Sequence, residues 1–68
     1  MNEKMKFFIY LLENYAMAKG ISGKQVFDLW KSKNLIDYIL DMYFLYHQER
    51  LENAFADIDS KLLNGTPT

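Results

Sequence analysis

Residues 35–46 (LIDYILDMYFLY) contain only two charged side chains, Asp37 and Asp41. Because these aspartates are four residues apart, an α-helix places both on one narrow strip of its surface. Leu, Ile, Met, Phe and Tyr surround the rest of the cylinder. A surface helix needs only one apolar stripe, and a helix that is apolar nearly all round is usually buried. The stretch therefore predicts a helix that must be covered on more than one side.

The chain is too short to cover such a helix easily. It has 68 residues, of which 50% are hydrophobic and 16% aromatic. This length predicts a single helical domain at 1–63, followed by a disordered tail at 64–68. Domains of this size bury about 60% of the surface that the unfolded chain exposes. Part of the apolar surface is therefore expected to lie in an interface.

Composition argues against several classes of protein. The net charge of −1 gives no attraction to phosphate, and the absence of cysteine excludes disulfides and thiolate metal sites. The longest apolar run, residues 7–12, is far shorter than the roughly 20 residues that span a bilayer. No signal-peptide pattern is present. The sequence predicts a cytoplasmic protein of bacterial type, with no membrane segment and no cofactor.

Helix boundaries follow from local signals. A first helix is predicted from about Asn2, which can cap it, to Lys19, with Gly20 as a left-handed stop. The pair Ser22 and Gln25 fits the capping box that starts a second helix.

The second half of the chain continues in the same way. The second helix is expected to end near Lys33, and Asn34 is expected to cap a third helix that runs to about His47. A fourth helix should start near Leu51. The sequence therefore predicts an all-α fold, a compact bundle of about four short helices.

The apolar faces of the helices suggest which residues are core and which are interface. A rotation of 100° per residue along the third helix separates two apolar stripes. The core stripes are predicted to be Met5, Phe8, Ile9, Leu12, Tyr15 and Ala16 in the first helix, Ile36, Ile39, Leu40 and Tyr43 in the third, and Leu51, Ala54, Phe55, Ile58 and Leu62 in the last. Asp57 and Asp59 are placed on the outside of the last helix.

The opposite stripes are either covered by other helices or form an interface. Phe7 and Leu11 lie opposite the core stripe of the first helix, and Tyr38, Met42 and Leu45 form the second stripe of the third. Aromatic residues and methionine are enriched at protein interfaces. The predicted partner-binding residues are Tyr38, Asp41, Met42, Leu45, Phe7 and Leu11.

No pattern of catalytic or metal-binding residues is visible. His47 is the only histidine and is expected to be a capped or half-buried structural residue rather than a ligand. Asp57 and Asp59 are two residues apart, so on a helix they point to different sides and cannot form a pair. The sequence predicts that the protein is not an enzyme and binds no metal.

Binding to DNA is not favoured either. A short helix, a turn and a longer helix can mimic a helix-turn-helix, but a recognition helix presents basic and polar side chains. The third helix presents Tyr, Leu and Met instead. Lys24, Lys31 and Lys33 of the second helix are few for a phosphate-binding surface.

A linear series of short motifs covers residues 5–62. It consists of Phe8-Ile9-Tyr10, Ser22-Gly23-Lys24-Gln25-Val26, Asp37-Tyr38-Ile39, Tyr43 with His47, and Asp57-Ile58-Asp59. By these motifs the chain resembles the small bacterial proteins of the family called domain of unknown function 3791. Relatives tend to have a glycine-containing loop after the histidine, where this chain has Gln48-Glu49-Arg50.

The resemblance implies a function beyond what the residues indicate. Members of that family are often encoded beside proteins that resemble ADP-ribosyltransferase-type toxins. By resemblance, the chain is expected to be a small antitoxin-like partner of a larger effector, with no catalytic residues of its own. A self-assembling homodimer is the alternative, and a helix-turn-helix regulator is a third possibility.

Overall fold

Helix α1 begins at the predicted Asn2 cap. In the computed structural model, which describes residues 2–64, α1 spans Glu3–Lys19 and the Asn2 side chain accepts a backbone N–H of its first turn at 2.8 Å. Gly20 ends the helix with a φ of 71°. The next amide, that of Ile21, donates to the carbonyl of Ala16 at 3.0 Å, which completes a Schellman motif.

Helix α2 spans Gly23–Ser32 and starts with the predicted capping box. The backbone N–H of Gln25 donates to the Ser22 hydroxyl at 3.1 Å, and the backbone N–H of Ser22 donates to the side-chain oxygen of Gln25 at 2.9 Å. These reciprocal bonds satisfy two backbone donors that the helix itself cannot pair.

The expectation that Asn34 caps the third helix is wrong. Asn34 has a φ of 58° and ends α2 instead, since the Leu35 amide donates to the carbonyl of Trp30 at 2.8 Å. Asparagine tolerates the left-handed conformation better than most residues with a side chain. The following helix, α3 (Ile36–Asp41), starts without a side-chain cap.

These two left-handed positions allow a matched test. We expect Gly20→Ala to lower the free energy of unfolding by about 1 kcal/mol, because a β-carbon is strained at a φ of 71°. The substitution meets no neighbouring atom, so backbone strain is its main cost. Asn34→Gly should be neutral or slightly stabilising for the same reason. Urea unfolding measures both variants, and an unchanged midpoint for Gly20→Ala would contradict the assignment.

The predicted continuous third helix is also wrong. After α3 the chain turns at Met42 and continues as α4 (Tyr43–Tyr46). The last helix, α5, spans Leu51–Asn64 and so includes Asn64, which the sequence placed in the tail. Residues 65–68 of that tail lie outside the described residues.

The all-α compact bundle is confirmed. The Cα radius of gyration is 11.0 Å, and a compact chain of this length is expected to have about 11 Å. Within residues 2–64 there is no strand, and no helix has the length and apolar character needed to cross a membrane. Positive φ angles occur in this part of the chain only at Gly20 and Asn34, so the connection at 48–50 needs no glycine.

Trp30 lies at the centre of the core. Its side chain is fully buried, and its ring centroid lies 5.9 Å from that of Phe8 and 5.3 Å from that of Tyr15. Both of these rings belong to α1. The other fully buried large side chains are Tyr46, Leu11, Leu35, Ile58 and Val26.

The buried face of α1 is rotated from the predicted one. Leu11, placed opposite the core by the sequence, is 0% exposed, so the expectation that it lies on a free surface is wrong. Met5 and Ile9, assigned to the core, are 38% and 44% exposed. Both apolar stripes of α1 have helical spacing, and only the positions of the neighbouring helices decide which stripe is buried.

The core stripe that the sequence predicted for the last helix is confirmed in α5. Ala54 and Ile58 are fully buried, while Leu51, Phe55 and Leu62 are half-buried and pack against the core. Helix α5 therefore covers the bundle as the sequence predicts.

Candidate interaction surface

The described residues leave a large amount of apolar side chain exposed. Phe44 is 69% exposed and Leu45 is 54% exposed, both on α4. The other large hydrophobic residues with exposed side chains are Met5, Ile9, Tyr10, Met17, Ile21, Phe27 and Leu63. The question is which of them form a continuous surface.

One continuous surface joins α1 and α4, and we call it the aromatic patch. It consists of Phe7, Tyr10, Tyr43, Phe44 and His47. The Phe7 ring centroid lies 6.2 Å from that of Tyr10 and 5.7 Å from that of Tyr43. The Phe44 ring lies 5.8 Å from the His47 ring. The rings of the patch are therefore linked: Phe7 and Tyr43 are half-buried, and Tyr10, Phe44 and His47 are exposed to solvent.

His47 is held in place within the patch. Its ring stacks on that of Tyr43, with centroids 4.5 Å apart and planes only 6° from parallel. Its Nδ1 lies 2.8 Å from the Tyr43 carbonyl oxygen, which also accepts the backbone amide of His47 at 3.0 Å. The residue is exposed rather than half-buried.

A cleft of about 450 Å³ lies beside these rings. Its lining residues are Glu3, Lys6, Phe7, Tyr10, Tyr43 and His47. Lys6 and Glu3 form an exposed ion pair at 3.6 Å, so the charged rim of the cleft is neutral overall. The volume lies in the lower part of the range for sites that accept small molecules. An open cleft of this size also accommodates a side chain inserted by a protein partner.

The structure separates the residues that the sequence assigned to partner binding. Phe7 belongs to the aromatic patch through its contacts with Tyr10 and Tyr43, although it is half-buried and also packs against the core. Leu45 lies exposed next to Phe44 in the chain. Asp41 is exposed at the end of α3. Tyr38 and Met42 are half-buried and pack against the core, so the predicted stripe of Tyr38, Met42 and Leu45 does not form one free face.

Sequence reasoning missed most of the aromatic patch. It assigned Tyr43 to the core, but Tyr43 lies against Phe7 and His47. It also missed the burial of Tyr46, which is 1% exposed. The turn at Met42 rotates α4 relative to a continuous helix, and no pattern in the sequence marks that turn. The only available signal was the spacing of Tyr43 and His47, four residues apart.

Asp57 does not lie on the outer face of α5, contrary to expectation. Its Oδ2 accepts hydrogen bonds from the Tyr38 hydroxyl at 2.7 Å and the Tyr46 hydroxyl at 2.5 Å. The Lys61 ammonium lies 3.4 Å from Oδ1. Burial alone would raise the pKa of Asp57, but the hydrogen bonds from Tyr46, Tyr38 and Lys61 outweigh it and lower the pKa below its ordinary value.

Asp59 makes a second contact of the same kind with α1. It accepts a hydrogen bond from the Tyr15 hydroxyl at 2.6 Å and one from the Lys19 ammonium at 2.7 Å. The prediction that Asp57 and Asp59 point to different sides is confirmed, since they bind different tyrosines. No group of three or more His, Cys, Asp or Glu residues within 2–64 has a geometry that could hold a metal ion.

The charges around α2 and α3 do not favour binding to the phosphates of DNA. Lys24 is paired with Asp28 at 2.8 Å. The helix that follows, α3, presents Asp37 and Asp41 to solvent. Carboxylates at the position of a recognition helix would repel a phosphate backbone.

Fold and surface together define a class, a small all-α protein whose aromatic patch is exposed at the junction of two helices. The sequence profile of the family described as protein of unknown function (DUF3791) matches residues 6–64. The chain belongs to this family, and the resemblance seen in its motifs is confirmed. Among curated proteins and among solved structures, no match was found.

Proposed function

We propose that this protein is a small non-catalytic module that binds another protein through the aromatic patch. The observation that carries the proposal is the exposure of large aromatic side chains in one linked group, with Tyr10 at 54% and Phe44 at 69%. Surfaces of this kind on a small protein mark interaction sites. Tyrosine, phenylalanine and methionine are also the residue types enriched in the centre of interfaces.

The geometry of the patch favours binding. Tyr43 and His47 already stack, and Phe7 packs edge-on against Tyr43, so little side-chain freedom remains to be lost. Covering Phe44 and Leu45, which are 69% and 54% exposed, would contribute at most about 1.5–3 kcal/mol each, before the cost of association. Side chains of this kind are the anchors that carry most of the binding energy in protein interfaces.

Family membership suggests the kind of partner. The resemblance described above implies that the partner is a larger bacterial effector of the ADP-ribosyltransferase type, and that the protein acts in the cytoplasm as its antitoxin-like neutraliser. Asp41 is exposed close in sequence to the patch and could meet a cation on the partner. Its charge would then assist association rather than provide most of the affinity.

The test uses a pair of surface variants. Phe44→Ser should remain folded, since the side chain is 69% exposed, and should reduce recovery of the partner in affinity capture from the native host at least tenfold. Leu63→Ser is the matched control, because Leu63 is 87% exposed and lies outside the patch. Mass spectrometry of the captured proteins gives the measurement, with circular dichroism to check folding.

Two outcomes would contradict the proposal. The first is equal recovery of the partner with Phe44→Ser and with the unsubstituted protein. The second is a dimer in light scattering that Phe44→Ser converts to a monomer while no other protein is captured. The aromatic patch would then serve a homodimer.

A further inference from the structure

The turn between α3 and α4 has no local cause in the sequence. Residues 35–47 contain neither proline nor glycine, which account for most sharp helix kinks. The Met42 amide still donates to the carbonyl of Tyr38 at 3.0 Å, and regular bonding resumes when the Tyr46 amide donates to Met42 at 2.8 Å. At the turn itself, backbone N–H groups of the α3 cap donate to the carbonyls of Tyr38, Ile39 and Leu40. These local bonds tighten the chain at Met42, and a tertiary contact that joins the two sides of the turn would fix the direction of α4.

That contact is made by one carboxylate oxygen. In a continuous helix, positions 38 and 46 would be separated by about 12 Å along the axis and about 80° around it. In the structure, the hydroxyls of Tyr38 and Tyr46 both lie within hydrogen-bond distance of Asp57 Oδ2. Tyr38 belongs to α3 and Tyr46 to α4, so Asp57 connects the helices on the two sides of the turn.

We propose that Asp57 is a positioning residue: by binding both tyrosines it fixes the turn at Met42 and thereby places the aromatic patch. The turn sets the direction of α4, which carries Tyr43 and Phe44 and ends at its cap residue His47. The other two residues of the patch, Phe7 and Tyr10, lie on α1.

The contacts across the two helices depend on this direction. The Phe7 ring lies 5.7 Å from Tyr43 and 6.4 Å from His47. The stack of Tyr43 on His47 lies within one helical turn and would survive a change in the direction of α4. The contacts of Phe7 would not, because they join α1 to α4. Asp57 is hydrogen-bonded to Tyr38 and Tyr46, and its effect on the rings of the patch is expected to pass through these two tyrosines.

Nuclear Overhauser effects between the Phe7 and Tyr43 rings therefore test the proposal. We expect Asp57→Asn to lower the intensity of these effects at least by half, because an amide lacks the charge that holds both hydroxyls. Tyr38→Phe should weaken them in the same way. The Phe8 and Trp30 rings, 5.9 Å apart in the core, should keep their mutual effects. This part of the test needs no partner, so it can fail or succeed independently of the proposed function.

Asp59→Asn is the matched control, since it neutralises a carboxylate that also binds a tyrosine on the same helix. Its Phe7–Tyr43 effects should remain. The proposal is overturned by full retention of these effects in folded Asp57→Asn, or by an equal loss in Asp59→Asn. If Asp57→Asn does not fold, retention in Tyr38→Phe overturns it instead. Where the partner is in hand, Asp57→Asn should also weaken its binding at least tenfold, and Asp59→Asn should not.

Discussion

Trp30→Ala is expected to leave most of the protein unfolded at 37 °C. The indole is fully buried and packs against Phe8 and Tyr15, so its removal opens a large cavity between α1 and α2. Such substitutions cost about 3–5 kcal/mol. A chain of this size has a total stability of only about 3–10 kcal/mol, which makes the loss comparable with the whole.

Circular dichroism is the appropriate measurement, because Trp30 is the only tryptophan and its fluorescence disappears with the substitution. The helical signal at 222 nm should fall sharply, and a cooperative thermal transition should be absent above room temperature. A transition within a few degrees of that of the unsubstituted protein would show that the core does not depend on this ring.

Trp30→Phe is the informative companion variant. Within the described residues the indole N–H has no hydrogen-bond acceptor, and an unpaired buried donor costs about 1–3 kcal/mol. Phenylalanine removes this donor while it retains a ring against Phe8 and Tyr15. We therefore expect the variant to fold and to lose much less stability than Trp30→Ala.

Features that depend on a few adjacent residues were predictable from the sequence. The capping box of Ser22 and Gln25 and the left-handed stop at Gly20 lie where the sequence placed them. Each is formed by side chains or backbone within five residues, so no tertiary contact is needed to decide it. Asn34 shows the limit of this reasoning, because asparagine is favoured both as a helix cap and in a left-handed turn.

Features that depend on the relative positions of helices were not predictable. Leu11 and Ile9 both lie on apolar stripes of α1, and only packing against the other helices buries Leu11 and exposes Ile9. Asp57 was placed outside because a lone carboxylate usually faces water. Two tyrosines more than ten residues away in the chain satisfy it, and the same contact accompanies the turn at Met42. The aromatic patch depends on that turn, and it was therefore missed.

Raising the pH above 10 is expected to destabilise the protein steeply. Burial and hydrogen bonding to a carboxylate raise the pKa of Tyr15, beside Asp59, and of Tyr38 and Tyr46, beside Asp57. Burial is the larger cause for all three, because a phenolate loses its hydration in the core. The nearby carboxylates add repulsion against a second negative charge.

The direction of the effect follows from the two pKa values of each tyrosine. The unfolded chain releases these protons near pH 10, whereas the folded protein retains them to higher pH. The stability that they contribute is therefore fully present below pH 10 and is lost as the pH rises toward the folded pKa. Each tyrosine lowers the free energy of unfolding by at most about 1.4 kcal/mol per pH unit, and the three together lower it by at most about 4 kcal/mol per pH unit.

Urea unfolding between pH 8 and pH 11.5 would measure this slope, with tyrosinate absorbance followed in the same samples. The absorbance of buried Tyr15 and Tyr46 should rise together with the loss of the helical signal, because their ionisation requires unfolding, and half-buried Tyr38 should ionise above its ordinary pH. Tyr46→Phe should reduce the slope by about a third, since it removes one of the three tyrosines whose pKa is raised by folding. Complete tyrosinate formation with the helical signal intact would mean that the hydroxyls of Tyr15, Tyr38 and Tyr46 are open to water. The hydrogen bonds that these tyrosines donate to Asp57 and Asp59 would then not be needed to hold α5 against the other helices.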